Sequence, residues 1–279
     1  MITYFDPWGD HFCTCPKKYS LNPYTGCEHR CVYCYITSYI PRGFECRLKK
    51  NLLMEVKKDR KKLNKKIPIS MSNSSDPYTP MEREYKLTKA CLKLLRDFKV
   101  LIVTKSDLVT RDIDLLKNMR ASVSMTITTL EEEVAKKLEP FAPSPERRLR
   151  ALEKLISNDI KVSCRIDPII PHVNEDASAL IKEFSDIGVS HVVASTFKAR
   201  PDSWQRFENT FEKEAKELKR AYADKHKNAY YLPMQLRFKL LKNVRELCDK
   251  QRITFAACRE GFNGLKTAKT CDGSHLIGA

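Results

Sequence analysis

Cys27-Glu28-His29-Arg30-Cys31-Val32-Tyr33-Cys34 is the stretch on which the reading of this chain turns. Its thiols are spaced C-x3-C-x2-C. Three thiolates this close in sequence can share one small inorganic centre. A 4Fe–4S cube normally takes four cysteines, so three leave one iron open to bind and activate a substrate. Zinc competes, but structural zinc wants four closed ligands, usually as paired C-x2-C units. His29 is a zinc ligand by type. It stands two residues from each of Cys27 and Cys31, poorly placed to join them on one metal. Ligand number and spacing therefore favour an iron–sulfur cluster.

Around this loop the composition sets bounds. A chain of 279 residues, 42% of them hydrophobic, suits one domain with a substantial core. No run of about 18 apolar residues appears, so no membrane span is expected. Met1 to Asp10 has no basic start followed by an apolar stretch, so no signal peptide is expected. Eleven cysteines, an odd number with three clustered and no export signal, fit a reducing cytoplasm better than a disulfide framework. Net charge is +16 and uneven. Arg47, Lys49, Lys50, Lys57, Lys58, Arg60, Lys61, Lys62, Lys65 and Lys66 face only Glu55 and Asp59 in one expected helix. Such a stripe attracts nucleic-acid phosphates; the plainer reading is a solvated helix face.

Taken in order, residues 1–20 are an irregular segment carrying Cys13 and Cys15. A helix is expected over Leu48–Lys66, and a strand at 67–72 with Ser70 and Ser72 on one face. Helices near 84–98, 111–118, 130–139, 145–157 and 176–186 then alternate with strands Val100–Thr104, Ala121–Thr128, Lys161–Asp167 and His191–Thr196. Alternation of this kind means a parallel sheet with crossover helices. With an initial strand at the cysteine loop it gives about six βα units over 21–200. Ser122, Ser124, Thr126 and Thr128 share one strand face, as do Ser163, Arg165 and Asp167. A polar inner face suits a barrel that holds a polar ligand. Helices at 203–228 and 233–250, a strand Ile253–Ala257 and a tail with Cys258 and Cys271 make a C-terminal extension over 201–279.

The cysteine spacing, with Tyr33 at the aromatic position, resembles the cluster motif of radical S-adenosylmethionine (SAM) enzymes. The longer run from Asn22 to Tyr35 resembles the spore photoproduct lyase-like branch, often labelled "DNA repair photolyase". Ser75-Asp76-Pro77-Tyr78-Thr79-Pro80-Met81-Glu82, Thr104-Lys105-Ser106, Leu138-Glu139-Pro140 and Pro168-Ile169-Ile170-Pro171 agree with it. The resemblance covers about residues 20–200. It implies an α/β fold, the open (β/α)6 partial TIM barrel of radical SAM enzymes, here with the helical and Cys-containing extension. It implies a 4Fe–4S cluster on Cys27, Cys31 and Cys34 that binds SAM and cleaves it reductively to a 5′-deoxyadenosyl radical. A low-potential donor such as ferredoxin or flavodoxin would supply the electron.

The resemblance also suggests the SAM contacts. Tyr33, with Tyr35 beyond the last ligand, would lie near the adenine. Ser72, Asn73, Ser74 and Asp76 would stand where a Gly-Gly-Glu motif usually meets the methionyl amine; Asp76 could instead cap a turn before Pro77. Lys105 would pair with the SAM carboxylate, and Ser124 and Arg165 with the ribose or carboxylate. Asn73 falls at the position of the lyase's hydrogen-returning cysteine, which speaks against thymine-dimer reversal; Tyr35, Tyr78 or Cys91 could stand in. Glu139 and Arg148 are expected to pair structurally, and Cys46, Cys91, Cys164 and Cys248 to pack.

Cys13, Cys15, Cys258 and Cys271 are numerous enough for an auxiliary iron–sulfur cluster or zinc. His11 could join a metal site, and His172 could face substrate. The expected substrate is a nucleic acid, repaired or modified by a monomeric cytoplasmic enzyme. The alternatives are radical SAM modification of a protein or small metabolite, and a non-enzymatic zinc or iron–sulfur nucleic-acid-binding module.

Overall fold

The computed structural model describes residues 1–5, 12–71 and 74–278. His11, Ser72 and Asn73 lie outside the described residues. Eight strands form one sheet: β1 (Thr3–Phe5), β2 (Lys18–Leu21), β3 (Ile69–Met71), β4 (Lys99–Thr104), β5 (Arg120–Thr126), β6 (Lys161–Ile169), β7 (His191–Thr196) and β8 (Thr254–Ala257). Their spatial order is their chain order. β1 is antiparallel to β2, and every later neighbour pair is parallel. Among the described residues β1 and β8 end the sheet without pairing with each other, so it is open, consistent with a partial barrel.

Six parallel strands, β2 to β7, match the six expected units, although the first strand precedes the cysteine loop. β8 adds a seventh parallel strand. Of the segment read as an extension beyond residue 200, Thr254–Ala257 is thus built into the sheet.

The longer helices are α1 (Leu52–Asp59), α2 (Leu87–Leu94), α3 (Pro145–Ile156), α4 (Ser178–Ile187), α5 (Pro201–Thr210) and α6 (Met234–Lys250). Their local causes are readable. Ser144 accepts a hydrogen bond from the Arg147 N–H at 3.4 Å and Pro145 opens α3, a favourable start. Arg148, Ala151, Leu152 and Leu155 then bury one face at helical spacing. α4 stops at Gly188, whose φ of 93° suits glycine at a left-handed cap. Val123, Met125, Cys164 and Ile166 pack with Leu152, Leu155 and Phe184 in the main core.

Two expected helices are corrected. The stretch Leu48–Lys66 is not one helix. Arg47–Leu48 pair as a short strand with Tyr24–Thr25, Asn51 takes a left-handed φ of 56°, and Leu63 is extended. Only Leu52 and Val56 are buried on α1, too little apolar surface to hold a longer helix against the sheet. Lys57, Lys58, Lys61, Lys62, Lys65 and Lys66 are exposed. Residues 203–228 also divide. Phe211 breaks the helix at φ −129°, ψ 61°, Glu212–Leu218 follows, and Asp224–His226 pairs with Ala229–Tyr231 in a hairpin. The break lets Phe207, Phe211, Leu218 and Tyr222 meet Phe197 and Leu232 in a second core. Among the described residues no helix is long and apolar enough to cross a membrane.

Candidate functional site

The cysteine loop leaves β2 through Gly26, whose φ is 82°. A Cβ there would lie 2.1 Å from the Glu45 carbonyl oxygen, so only glycine fits the turn. Beyond it the Cys27 N–H donates to the Gly43 carbonyl at 2.9 Å, and the Val32 N–H to the Leu138 carbonyl at 2.9 Å. From α5, Arg206 donates to the Cys34 carbonyl at 2.5 Å and the Val32 carbonyl at 3.1 Å. Thr37 donates to Asp202 on the same helix.

Cys27, Cys31 and Cys34 line one cavity of about 300 Å³, together with Tyr33, Asp76, Lys105, Arg165 and Lys198. A larger groove of about 460 Å³, at α4 and α6, has no cysteine or histidine in its wall and so lacks the chemistry of the first. Burial pushes the Cys31 thiol up to about 12, with Lys105 opposing. Burial also raises Cys27 and Cys34; Cys31 and Cys34 add to the cost of ionising Cys27, and Cys34 to that of Cys31. Thiols bind a metal centre as thiolates, so a cationic centre here would displace these protons. No three His, Cys, Asp or Glu side chains among the described residues close directly on one ion. Three thiols lining one cavity, with a lysine beside them, fit an iron–sulfur cluster with an open iron.

Asp76 sits among the strand ends. It accepts from Thr104 Oγ1 at 2.6 Å, the Tyr78 N–H at 2.8 Å and the Lys105 N–H at 2.7 Å. His29 Nε2 lies 3.4 Å from it, near enough for an ion pair but without hydrogen-bond alignment. Burial opposes ionisation, yet His29, Thr104 and the Lys105 N–H together hold the carboxyl below its usual range. His29 Nδ1 is turned to the Phe141 carbonyl at 3.2 Å. Asp76 thus forms the turn before Pro77 while also lining the cavity.

Lys105 Nζ lies 5.5 Å from the centre of the Tyr33 ring. Burial disfavours its charge, but Cys31 and Glu139 outweigh burial and raise its pKa. Burial, Cys31 and Glu139 hold the Tyr33 phenol well above its ordinary value, and it donates to Glu139. Glu139 pairs with the buried Arg148 at 2.5 Å, and Arg148 also donates to the Thr126 carbonyl at 3.0 Å. Opposite, Arg165 donates to Asp167 at 2.7 Å, and Ser195 donates to the other oxygen of Asp167. Burial works against that carboxylate too, but Arg165 and Lys198 lower its pKa to about 2. Glu260, fully buried, binds Lys198 at 2.9 Å and Arg237 at 2.7 Å.

The other candidates are distributed as follows. Tyr35 and Ser74 line the cavity. Ser124 does not. It lies two residues before the lining residue Thr126, and its hydroxyl, like those of Ser122 and Ser163, is buried without a hydrogen-bond partner among the described residues. Of the stand-in hydrogen donors, Tyr78 is buried with its hydroxyl on Asp112 at 3.2 Å, and Cys91 lies in the main core. Tyr35 alone of the three lines the cavity. His172 is exposed near Glu175 and Glu217, away from the cavity. Cys13, Cys15 and Cys258 line the cavity as well, and Cys271 lies 3.5 Å from Cys15. Lys198, expected with Thr196 and Phe197 at a strand end, does line the cavity, whereas Arg206, Arg237 and Glu260 escaped the sequence reading. Asp202 and Arg206 carry only an i,i+4 ion-pair spacing, which on its own signals an exposed helix face.

A sequence profile described as the Radical SAM superfamily matches residues 21–185. An uncharacterised protein of Methanocaldococcus jannaschii is 41% identical over 164 residues, 55% of this chain and 61% of that protein. The chain therefore spans about three fifths of that relative's length. An uncharacterised protein of Acidianus two-tailed virus is 33% identical over 206 residues, 65% of this chain and 68% of its own. Among solved structures, a spore photoproduct lyase mutant with dinucleoside spore photoproduct has a TM-score of 0.68 at 18% identity. That match covers 86% of this chain and 75% of the other. Streptococcus suis SuiB bound to S-adenosylmethionine has a TM-score of 0.59 at 12% identity, over 85% of this chain and 49% of its own. At such identities the likeness is one of fold.

Two outcomes are expected from this geometry. Gly26→Ala forces a methyl against the Glu45 carbonyl and should cut iron uptake by the three-thiol loop on anaerobic reconstitution. Gly264→Ala, where nothing lies within 4 Å of the added carbon, should leave uptake unchanged. Equal iron in both variants would show that the loop tolerates the clash. Asp167 has a depressed pKa, so its contribution is full above the unfolded value near 3.9 and lost as pH falls toward about 2. Urea titrations should show wild type more stable than Asp167→Asn by roughly 2 kcal/mol at pH 6, the gap closing between about pH 4 and 2. A gap independent of pH would assign the difference to packing.

Proposed function

The chain belongs to the radical SAM superfamily, and from that premise we propose that it binds a 4Fe–4S cluster and SAM in the strand-end cavity and repairs or modifies a nucleic acid. The observation that carries the reading is the convergence of Cys27, Cys31, Cys34 and Lys105 on one cavity. Cys27, Cys31 and Cys34 would hold the cluster. When bound, cluster and SAM supply one-electron cleavage of the sulfonium and removal of a hydrogen atom from the substrate.

The remaining roles belong to the chain. Lys105 stays protonated and is the partner for the SAM carboxylate. Tyr33, its phenol fixed by Glu139, offers a ring beside that lysine for the adenine. Ser74 is the residue for the methionyl amine, with Ser72 and Asn73 as the other candidates by sequence; Asp76 acts mainly by orienting the strand ends. Arg206 holds the thiol loop by two of its carbonyls. Arg165, bound to Asp167, gives the far wall a buried cation for a ribose hydroxyl or a phosphate. Tyr35 is the candidate for returning or relaying a hydrogen atom, since Asn73 has no thiol.

Support for a nucleic-acid substrate is threefold. The chain carries a net +16. Lys57, Lys58, Lys61 and Lys62 are exposed on α1 and the turn after it. The fold is shared with a lyase solved with a dinucleoside photoproduct. A low-potential ferredoxin or flavodoxin would deliver the electron, in a reducing cytoplasm and to a single chain.

Reduced protein should cleave SAM slowly to 5′-deoxyadenosine and methionine, and Cys31→Ala should abolish this. Lys105→Ala should weaken SAM binding by about 10- to 100-fold, the loss of one charge-assisted hydrogen bond. SAM affinity undiminished in the lysine variant would put the carboxylate elsewhere, and a protein that holds no iron after reconstitution would end the enzymatic reading. Nucleic-acid affinity should fall with salt. Changing Lys57, Lys58, Lys61 and Lys62 to Gln should flatten the slope of log K against log salt by about three units if all four touch backbone. Titrations with tRNA, duplex DNA and single-stranded DNA at several salt concentrations measure this. Identical slopes would leave α1 a solvated face, and no binding to any of the three would point to a peptide or small metabolite.

A further inference from the structure

The segment before β2 and the tail beyond β8 meet at thiols that the SAM reading does not use. By sequence, Cys13, Cys15, Cys258 and Cys271 are candidates for an auxiliary metal centre, but among the described residues no three of them gather on one ion. Two of them stand instead as a pair. The Cys271 thiol donates to Cys15 Sγ at 3.5 Å, across 256 positions of chain. Cys15 is half-buried and lines the cavity, whereas Cys271 is buried and does not line it. Cys258 is engaged by Arg165.

We propose that Cys15 and Cys271 are a redox-active dithiol, in which Cys15 is the sulfur that reacts with a hydroperoxide and Cys271 the thiol that then closes a disulfide with it. Three observations carry this. The first is access: of the two sulfurs, only Cys15 belongs to a residue on the wall of a cavity that a small peroxide can enter. The second is the set of donors on that one sulfur. Lys18 Nζ lies 3.5 Å from Cys15 Sγ, and the thiols of Cys13 and Cys271 both donate to it. Donors and a cation on a sulfur favour its thiolate, the nucleophilic form. Hydrogen bonds from Cys13 and then Cys271 accordingly hold Cys15 below the ordinary thiol value, and the same bonds raise both donors. The third is the charge that oxidation leaves behind. Lys18 is buried and paired with Asp272 at 2.6 Å, so loss of the Cys15 charge strands no buried cation. Cys13 is a poorer partner for the bond, because only Thr14 separates it from Cys15 and so short a ring strains a disulfide.

The chemistry balances with hydrogen peroxide as oxidant. The Cys15 thiolate attacks one peroxide oxygen and the O–O bond breaks. Cys15 becomes a sulfenic acid, and the other oxygen leaves as hydroxide and takes up a proton to become water. Cys271 then attacks that sulfur. The S–S bond forms, the S–O bond breaks, and the hydroxyl leaves as water with the Cys271 proton. Each sulfur gives one electron and the peroxide takes both, so two thiols and one peroxide yield one disulfide and two waters. The sulfurs need only close from 3.5 Å to about 2.05 Å. The bond would join the segment before β2 to the tail. Cys15 and Asp272 both line the cavity, so the bond fixes part of its wall.

The test treats full-length protein, reduced and desalted under nitrogen, with one equivalent of hydrogen peroxide, then alkylates it and maps its thiols by mass spectrometry. A peptide pair joining Cys15 to Cys271 is expected, lost on reduction with dithiothreitol, while Cys91 and Cys248 of the main core stay unmodified. In Cys271→Ser, Cys15 should stop at the sulfenic acid and be trapped by dimedone. In Cys15→Ser, Cys271 should stay reduced. Because either variant could misfold, the wild-type map decides. Cys15 and Cys271 both still free, a Cys13–Cys15 or Cys15–Cys258 disulfide in place of the expected one, or dimedone on Cys271 ahead of Cys15 would each overturn the proposal. The map needs neither cluster nor SAM, so its result is independent of the enzymatic reading.

Discussion

The carboxylate of Asp76 ties three parts of the molecule that must keep register for the cavity to exist. It takes hydrogen bonds from Thr104 at the end of β4, from the Lys105 N–H just beyond, and from the Tyr78 N–H in its own turn, and it faces His29 from the thiol loop. A buried carboxylate with three donors is stabilised as an anion, whereas one stripped of donors carries the full cost of leaving water. Loss of Asp76 would therefore do more than empty one position. Lys105 takes its backbone direction from this group, and His29 of the thiol loop lies 3.4 Å from it.

The same logic recurs around the cavity in pairs of opposite charge. Glu139 with Arg148, Asp167 with Arg165, Glu260 with Lys198 and Arg237, and Asp272 with Lys18 are all substantially buried. Buried pairs contribute little net stability and are costly to break singly. Their value here is positional. Arg148 holds the Thr126 carbonyl and Glu139 together, and Glu139 orients Tyr33. Glu260 takes the Thr196 N–H at 2.8 Å and so sets the end of β7. The ends of β4, β5 and β7 are each held by a charge on another element: Thr104 by Asp76, the Thr126 carbonyl by Arg148 and the Thr196 N–H by Glu260.

The thiol loop and the parallel alternation were legible because both are local signals. C-x3-C-x2-C is a spacing, and the strands from Val100 to Thr196 are short runs, buried almost throughout, with helical segments between. The pairing of Glu139 with Arg148 was legible too, since buried charges need partners. What escaped depended on contacts far along the chain. Nothing near Leu48 announces that Arg47–Leu48 pair with Tyr24–Thr25 and so delay α1. Nothing near Phe211 announces the aromatic cluster that splits the helix there. Ser124 and Thr126 share a face, and only depth along β5 distinguishes the residue in the wall from the one beneath it. The residues beyond 200 were read as trimmings because their ion-pair spacings look like those of any exposed helix, yet Arg206, Arg237 and Glu260 brace the site.

The ion pair of Lys18 with Asp272 joins residues 254 positions apart. Loop-closure entropy rises only with the logarithm of that span, so so distant a contact is thermodynamically affordable. Its consequence lies in time rather than in free energy. During synthesis the thiols at 27–34 emerge early, while β8 and the tail that wall the same cavity come last. β8 and the tail supply Cys258 and Asp272 to the cavity wall, so the surroundings of the thiol loop are complete only once residues far along the chain have docked.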